Sequence, residues 1–170
     1  MTGAAAIDAL VSALAEDFGL TPVMAAEIEC YVPLLDDSPH AMEAFWRPVD
    51  AALRAAGVPL LRIEKERGLH QYELITHVTT PSLLAEALVV LRRIVTEAAT
   101  AQGIEANFSA KPFPQQPSSG LHLHLHLADR EGINAYHKTE EWTSDVLRFS
   151  LGGLLSLLPQ HAAIFFPNRE

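Results

Sequence analysis

Residues 118–132 read SSGLHLHLHLADREG. Three histidines, His122, His124 and His126, alternate there with four leucines. Successive side chains of a β-strand point to opposite faces. The spacing therefore predicts a strand with three imidazoles on one side and the leucines on the other. What surrounds such a strand has to come from the rest of the chain.

Upstream, KPFPQQPSSG (111–120) is rich in Pro, Gln and Ser and reads as a loop, preceded by a short strand in IEANFSA (104–110). Before that, Thr80 and Pro81 open a long helix that runs to Gly103. LLRIEKE (60–66) and HQYELITHV (70–78) flank Arg67-Gly68-Leu69 and predict a hairpin. Ser38 and Pro39 form an N-cap and first helical residue for a helix to about Ala56, with Pro48 expected to kink or interrupt it and Gly57 to end it. AAEIECYV (25–32) alternates as a strand, and residues 4–18 place Ile7, Leu10, Val11, Leu14 and Phe18 at helical spacing before Gly19. Downstream, residues 139–158 predict a helix that contains Gly152-Gly153, and the tail ends soon after Pro167. Trp46, Trp142, Phe149 and the leucines of 151–158 are expected in the core.

The order is helix, strand, helix, two strands, helix, two strands, helix. It predicts an α+β fold, a largely antiparallel sheet with helices packed on one face, in a single domain over residues 1–170. The chain has 170 residues, nearly half of them apolar, enough for a real core. A net charge of −9 argues against nucleic acid or an anionic membrane as partner. The single cysteine, Cys30, excludes an internal disulfide and a cysteine-rich zinc site. The start lacks the cationic leader and long apolar core of a signal peptide, and no apolar run is long enough to span a membrane. A cytoplasmic location is expected.

The sheet's open face would collect the polar residues of each strand. Glu27 and Glu29 sit two apart in the first strand; Glu66 precedes the hairpin turn and Glu73 follows it. With His122, His124 and His126, up to four carboxylates and three imidazoles converge if these strands are neighbours. Crowded carboxylates repel and resist burial unless paired. Divalent cations resolve that conflict, and a set rich in carboxylate oxygen favours magnesium or manganese over zinc. Glu64 and Lys65 read as surface charges, and His70 and His77 carry no role. Three histidines on alternate residues span about 13 Å, too far for one ion.

The same pieces, in this order, resemble the catalytic domain of glutamine synthetase. The glutamate pair in EIECYV, the glutamate-to-glutamate span ERGLHQYE, the Lys-Pro of ANFSAKP, the SSGLHLH segment and the final LGGLLSLLPQHAAIFFPN are each similar to that family's elements. The resemblance implies an ATP-dependent carboxylate–amine ligase: ATP phosphorylates the side-chain carboxylate of glutamate, and ammonia displaces the phosphate. By matched position, Glu29, Glu66 and Glu73 would hold a first Mg2+ or Mn2+. Glu27 and His122 would contribute to a second that bridges the phosphates. His124 falls where the family places a histidine near the ATP phosphates. His126 falls on a position usually held by serine, and no catalytic residue is assigned. Implied partners are glutamate or a related amino acid with ammonia or an amine, and either further copies of the chain or a second chain that completes the site.

The departures from the family are specific. Its Asn-Gly-Ser-Gly loop reads Pro117-Ser118-Ser119-Gly120, and its Gly-Gln reads His70-Gln71. The resemblance finds no counterpart for the family's N-terminal β-grasp domain or for its C-terminal part, with the arginines that clamp phosphate and glutamate, so the chain is expected to be truncated. Losing one oppositely charged clamp can cost about 2.7–4 kcal/mol of transition-state stabilisation. A non-catalytic module that binds divalent metal and nucleotide, acting as a partner or regulatory domain, is the alternative reading.

Overall fold

The structure, a computed structural model, describes residues 3–34, 38–137 and 144–165. Its elements run α1 (Gly3–Phe18), β1 (Thr21–Tyr31), α2 (Pro39–Ala55), β2 (Leu60–Lys65), β3 (Gln71–Thr76), α3 (Pro81–Ala101), β4 (Leu121–Ala128) and α4 (Asp145–Phe165). The strands form one four-stranded sheet among the described residues, in the order β2-β3-β1-β4. The α+β class with an antiparallel sheet holds. By backbone contacts the chain groups into two compact units, Met24–Leu125 and Met1–Val23 with His126–Glu170. Among the described residues no helix is long and apolar enough to cross a membrane.

Within Met24–Leu125, strand register decides which side chains are covered. Ile28 faces Leu74 and Cys30 faces Tyr72 across β1 and β3. These four pack with Phe45, Trp46, Val49 and Leu53 of α2 and Leu91, Ile94, Val95 and Ala99 of α3. Each large side chain so buried contributes about 1.5–3 kcal/mol. Trp46 sits edge-on to Phe45 and Tyr72, at 4.8 and 5.1 Å between ring centroids. Because the alternation is strict, Glu29 and Glu73, one residue along, face away from this core as a directly opposed pair.

The helix starts are as expected: Ser38 Oγ accepts from Ala41 N and Thr80 Oγ1 from Leu83 N. Gly57 closes α2 with φ +77°, its N–H bonding Arg54 O while Val58 N–H bonds Leu53 O. Pro48 does not interrupt α2, which continues to Ala55. The ring lies on the exposed side, and the buried stripe Phe45, Trp46, Val49 and Leu53 clamps the helix on both sides of it.

Other boundaries differ. β1 begins at Thr21, four residues before the expected strand, where Met24 bridges Thr79. β3 stops at Thr76 and leaves Val78 exposed. Residues 104–110 are no strand: Asn107 makes one bridge to Tyr31, and its Oδ1 then captures Ser109 N–H and turns the chain. Leu121, Leu123 and Leu125 are 47–51 % exposed on the edge strand β4.

In the second unit, Gly19 ends α1 with φ +68°, and a methyl there would lie 2.9 Å from Arg130 Nε. Ile7, Val11 and Leu14 are half-buried, while Leu10 and Phe18 are exposed. Asp129 Oδ1 accepts from Glu131 N and Ile133 N and folds the chain back after β4, where Ala128 bridges Asn134. Ser144 Oγ accepts from Leu147 N at the start of α4, which runs through Pro159 to Phe165. Phe149, Leu151, Leu154, Leu155 and Leu157 are exposed, contrary to the core placement expected for them. Helical spacing shows that a face is apolar but not what that face meets. Trp142, the expected helix start at 139–143 and the tail at Pro167 lie outside the described residues.

Candidate metal centre

Two strands and one turn deliver the acidic side chains, and a third strand the imidazoles. Glu29 and Glu73 stand opposite each other on β1 and β3, and Glu27 lies two residues back on the same face. β4 runs alongside β1: Glu29 N–H donates to Gly120 O at 3.0 Å. Glu27 Oε2 lies 3.4 Å from His122 Nδ1, and Oε1 lies 3.1 Å from His124 Nε2. As β1 advances from Glu27 to Glu29, its neighbour on the β4 side retreats from His124 to Gly120, so this pairing is also antiparallel. The imidazole side of the His/Leu strand therefore joins the carboxylate face.

One donor atom each from Glu27, Glu73 and His122 all lie within 4.8 Å of one another. Glu73 is buried, Glu27 half-buried and His122 exposed. Burial, and then the Glu27, Glu66 and Glu29 carboxylates, push the Glu73 carboxyl above the usual carboxylate range, with His122 opposing them. Glu27 goes the other way: its hydrogen bond to His124 is the main cause holding it below that range, against burial and with help from His122. Carboxylates held this close repel one another, and a positive charge placed among them would relieve that repulsion.

The expected residues fall at different depths in this cluster. Glu27, Glu73 and His122 form its tight group. Glu29 faces Glu73 in register, Glu66 acts on Glu73 from the hairpin turn, and His124 sits on Glu27. The tight group thus mixes residues that the resemblance divides between two ions. His126 is half-buried farther along β4. Glu64 opposes Glu73 in register, yet its carboxylate pairs with Arg62 at 2.7 Å on the surface.

Two residues near the cluster carry no assigned role in the sequence reading. A methyl on Gly120 would lie 2.8 Å from His122 Nε2 and 3.4 Å from Glu29 Oε1, so glycine leaves open the gap between imidazole and carboxylate. Gln71 is 1 % exposed, and its Nε2 donates to Glu29 Oε2 at 2.7 Å. Its position two residues before Glu73 puts it on the same face, which is the signal that could have found it.

Residues 29–170 match the family described as glutamine synthetase, catalytic domain; Glu27 lies two residues before that match. A type-1 glutamine synthetase of Dictyostelium discoideum is 31 % identical over 121 residues, 69 % of this chain and 23 % of that protein. A glutamate–isopropylamine ligase of a Pseudomonas species is 29 % identical over 118 residues, 68 % of this chain and 26 % of that protein. A crystal structure of a glutamine synthase homologue superposes with a TM-score of 0.83 at 26 % identity, covering 94 % of this chain and 40 % of that one. The chain spans about a quarter of the length of these two curated relatives. With a match over most of its length and a sheet of the same build, the chain belongs to the glutamine synthetase catalytic-domain family.

Proposed function

We propose that residues 1–170 act as one glutamine synthetase catalytic-like domain that joins a carboxylate to an amine at the expense of ATP. The acid is glutamate or a related amino acid; the amine is ammonia or a small alkylamine. The observation that carries this reading is the gathering of Glu27, Glu73 and His122 donor atoms within 4.8 Å. Carboxylate oxygens with a single imidazole nitrogen suit Mg2+ or Mn2+. The raised Glu73 carboxyl fits the same reading, because repulsion among these groups is what a cation would relieve.

In this reading Glu27, Glu29, Glu66, Glu73 and His122 hold the cations, and these supply charge neutralisation for phosphoryl transfer. His124 keeps Glu27 ionised through their 3.1 Å contact, and by the family resemblance it would help hold the phosphates of bound ATP. Glu73 is the buried member of this set. A cytoplasmic location, where ATP is available, goes with this chemistry, as does the absence of nucleic acid or membrane among the partners of a chain with charge −9.

The test combines binding with turnover. Purified protein should bind Mn2+ saturably, and Glu29→Ala or Glu73→Ala should abolish that binding. Phosphate release from ATP should then depend on glutamate together with ammonia, hydroxylamine or isopropylamine. Mn2+ binding that survives both substitutions sinks the assigned site. A second reading, a non-catalytic metal- and nucleotide-binding module, draws on the loop before β4. There Pro117 O and Ser118 O are turned to Tyr31 and Gln71, and proline supplies no N–H. Saturable Mn2+ binding without glutamate-dependent phosphate release selects that reading.

A further inference from the structure

Gln71 is the most heavily engaged neutral side chain beside the cluster. A primary amide offers two donors and two acceptor lone pairs. Here Nε2 donates to Glu29 Oε2 at 2.7 Å and to Ser118 O at 3.0 Å. Oε1 accepts from Gly68 N at 3.1 Å. It also takes a share of the Tyr31 hydroxyl proton at 3.2 Å, the larger share going to Pro117 O at 2.7 Å.

The partners fix the direction of the amide. Turned over, its oxygen would face the Glu29 carboxylate and the Ser118 carbonyl, three acceptors together, and its NH2 would face the Gly68 N–H. The surroundings are also shaped to this one arrangement. A methyl on Gly68 would overlap the Tyr31 hydroxyl and lie 2.5 Å from Gln71 Oε1. One buried amide therefore ties together the hairpin turn, strand β1 and the loop that leads into β4.

Its effect on Glu29 is directional. A neutral donor occupies Oε2, which leaves Oε1 on the Gly120 side, where His122 Nε2 also lies. We propose that Gln71 is a positioning residue: it presents Glu29 Oε1 to a divalent cation and, through Ser118 O and Tyr31, couples cation binding to the backbone of residues 117–120. This rests on the metal reading above and goes beyond it by joining the cation to the loop.

The experiment uses the full chain with Mn2+ as probe, followed by electron paramagnetic resonance and by amide hydrogen exchange. In the wild type, Mn2+ should slow exchange in residues 115–120 at least tenfold. Gln71→Met keeps the length of the side chain and removes its hydrogen bonds. It should weaken Mn2+ binding at least tenfold and lose the Mn2+-dependent slowing. Tyr31→Phe, a milder change, should weaken binding about two- to fivefold and reduce the slowing. A purely structural role would lower the melting temperature of the metal-free protein without altering Mn2+ affinity or the response of the loop. Folded Gln71→Met with affinity within twofold of wild type and an unchanged loop response overturns the proposal. If Gln71→Met does not fold, wild-type behaviour of Tyr31→Phe overturns it instead. Wild-type protein that binds no Mn2+ overturns the metal reading itself, and this proposal with it.

Discussion

Glu73 is a side chain that works against the stability of the metal-free protein. Its folded-state carboxyl titrates above the ordinary range because it is buried among Glu27, Glu66 and Glu29. A raised carboxyl pKa means that the native state holds its proton more tightly than the unfolded chain does. The metal-free protein should therefore gain stability as pH falls from neutral through the raised Glu73 pKa, until other carboxylates begin to protonate. Glu27 opposes this: its contribution, with a lowered pKa, is present above the ordinary carboxylate range and is lost as pH falls through the lowered value. Glu73→Gln should raise metal-free stability at pH 7 by about 1 kcal/mol while eliminating Mn2+ binding. Paired melts with and without Mn2+ check both halves, and a lower metal-free melting temperature would count against repulsion as the cause. His70 is a second exception, with φ +59° at a non-glycine residue. His70→Gly should stabilise by about 0.5–1 kcal/mol in urea unfolding. Glu27 and Glu29 were legible as a pair at i and i+2 on one strand, whereas Glu66 and Glu73, seven residues apart across a turn, stood out only through the family resemblance. Gln71 and Gly120 were not, since a neutral amide and a missing side chain leave no charge pattern to follow.

At the scale of elements, the caps were legible and the context was not. Ser38-Pro39 and Thr80-Pro81 carry their own local chemistry, and both helices begin where that chemistry says. Residues 104–110 have strand-like composition, yet a side-chain bond at Asn107 competes with the ladder and wins. Pro48 has a helix-breaking identity, but the tertiary clamp around it overrides local preference. That clamp implies a latent cost, because the ring lacks an N–H and crowds the carbonyl four residues earlier. Pro48→Ala should stabilise the chain by about 1–3 kcal/mol in urea unfolding. No change would mean that α2 has already adjusted around the ring. The exposed leucines of β4 and α4 illustrate the same limit: period reveals an apolar side, whereas cover depends on what packs there.

For the molecule as a whole, divalent cations should act as ligands of the native state. Unfolding would scatter Glu27, Glu73 and His122, which come from three separate strands, so the unfolded chain would bind poorly. At 100 times its dissociation constant, Mn2+ should add about 2.7 kcal/mol. For a chain of this size that is about 5–10 °C in melting temperature. Sodium at equal ionic strength should not reproduce the rise, and a chelator should reverse it. If both salts act alike, general screening of the −9 charge is the cause and not a site. The sheet that carries the carboxylates on one face carries Cys30, fully buried, on the other. Because it is the chain's one cysteine, thiol labelling becomes a clock for the opening of β1 from its helical cover. A cation that pins Glu27 and Glu73 across β1 and β3 should slow that clock, so a colour reaction at a sulfur on the hidden side can time events on the acidic side.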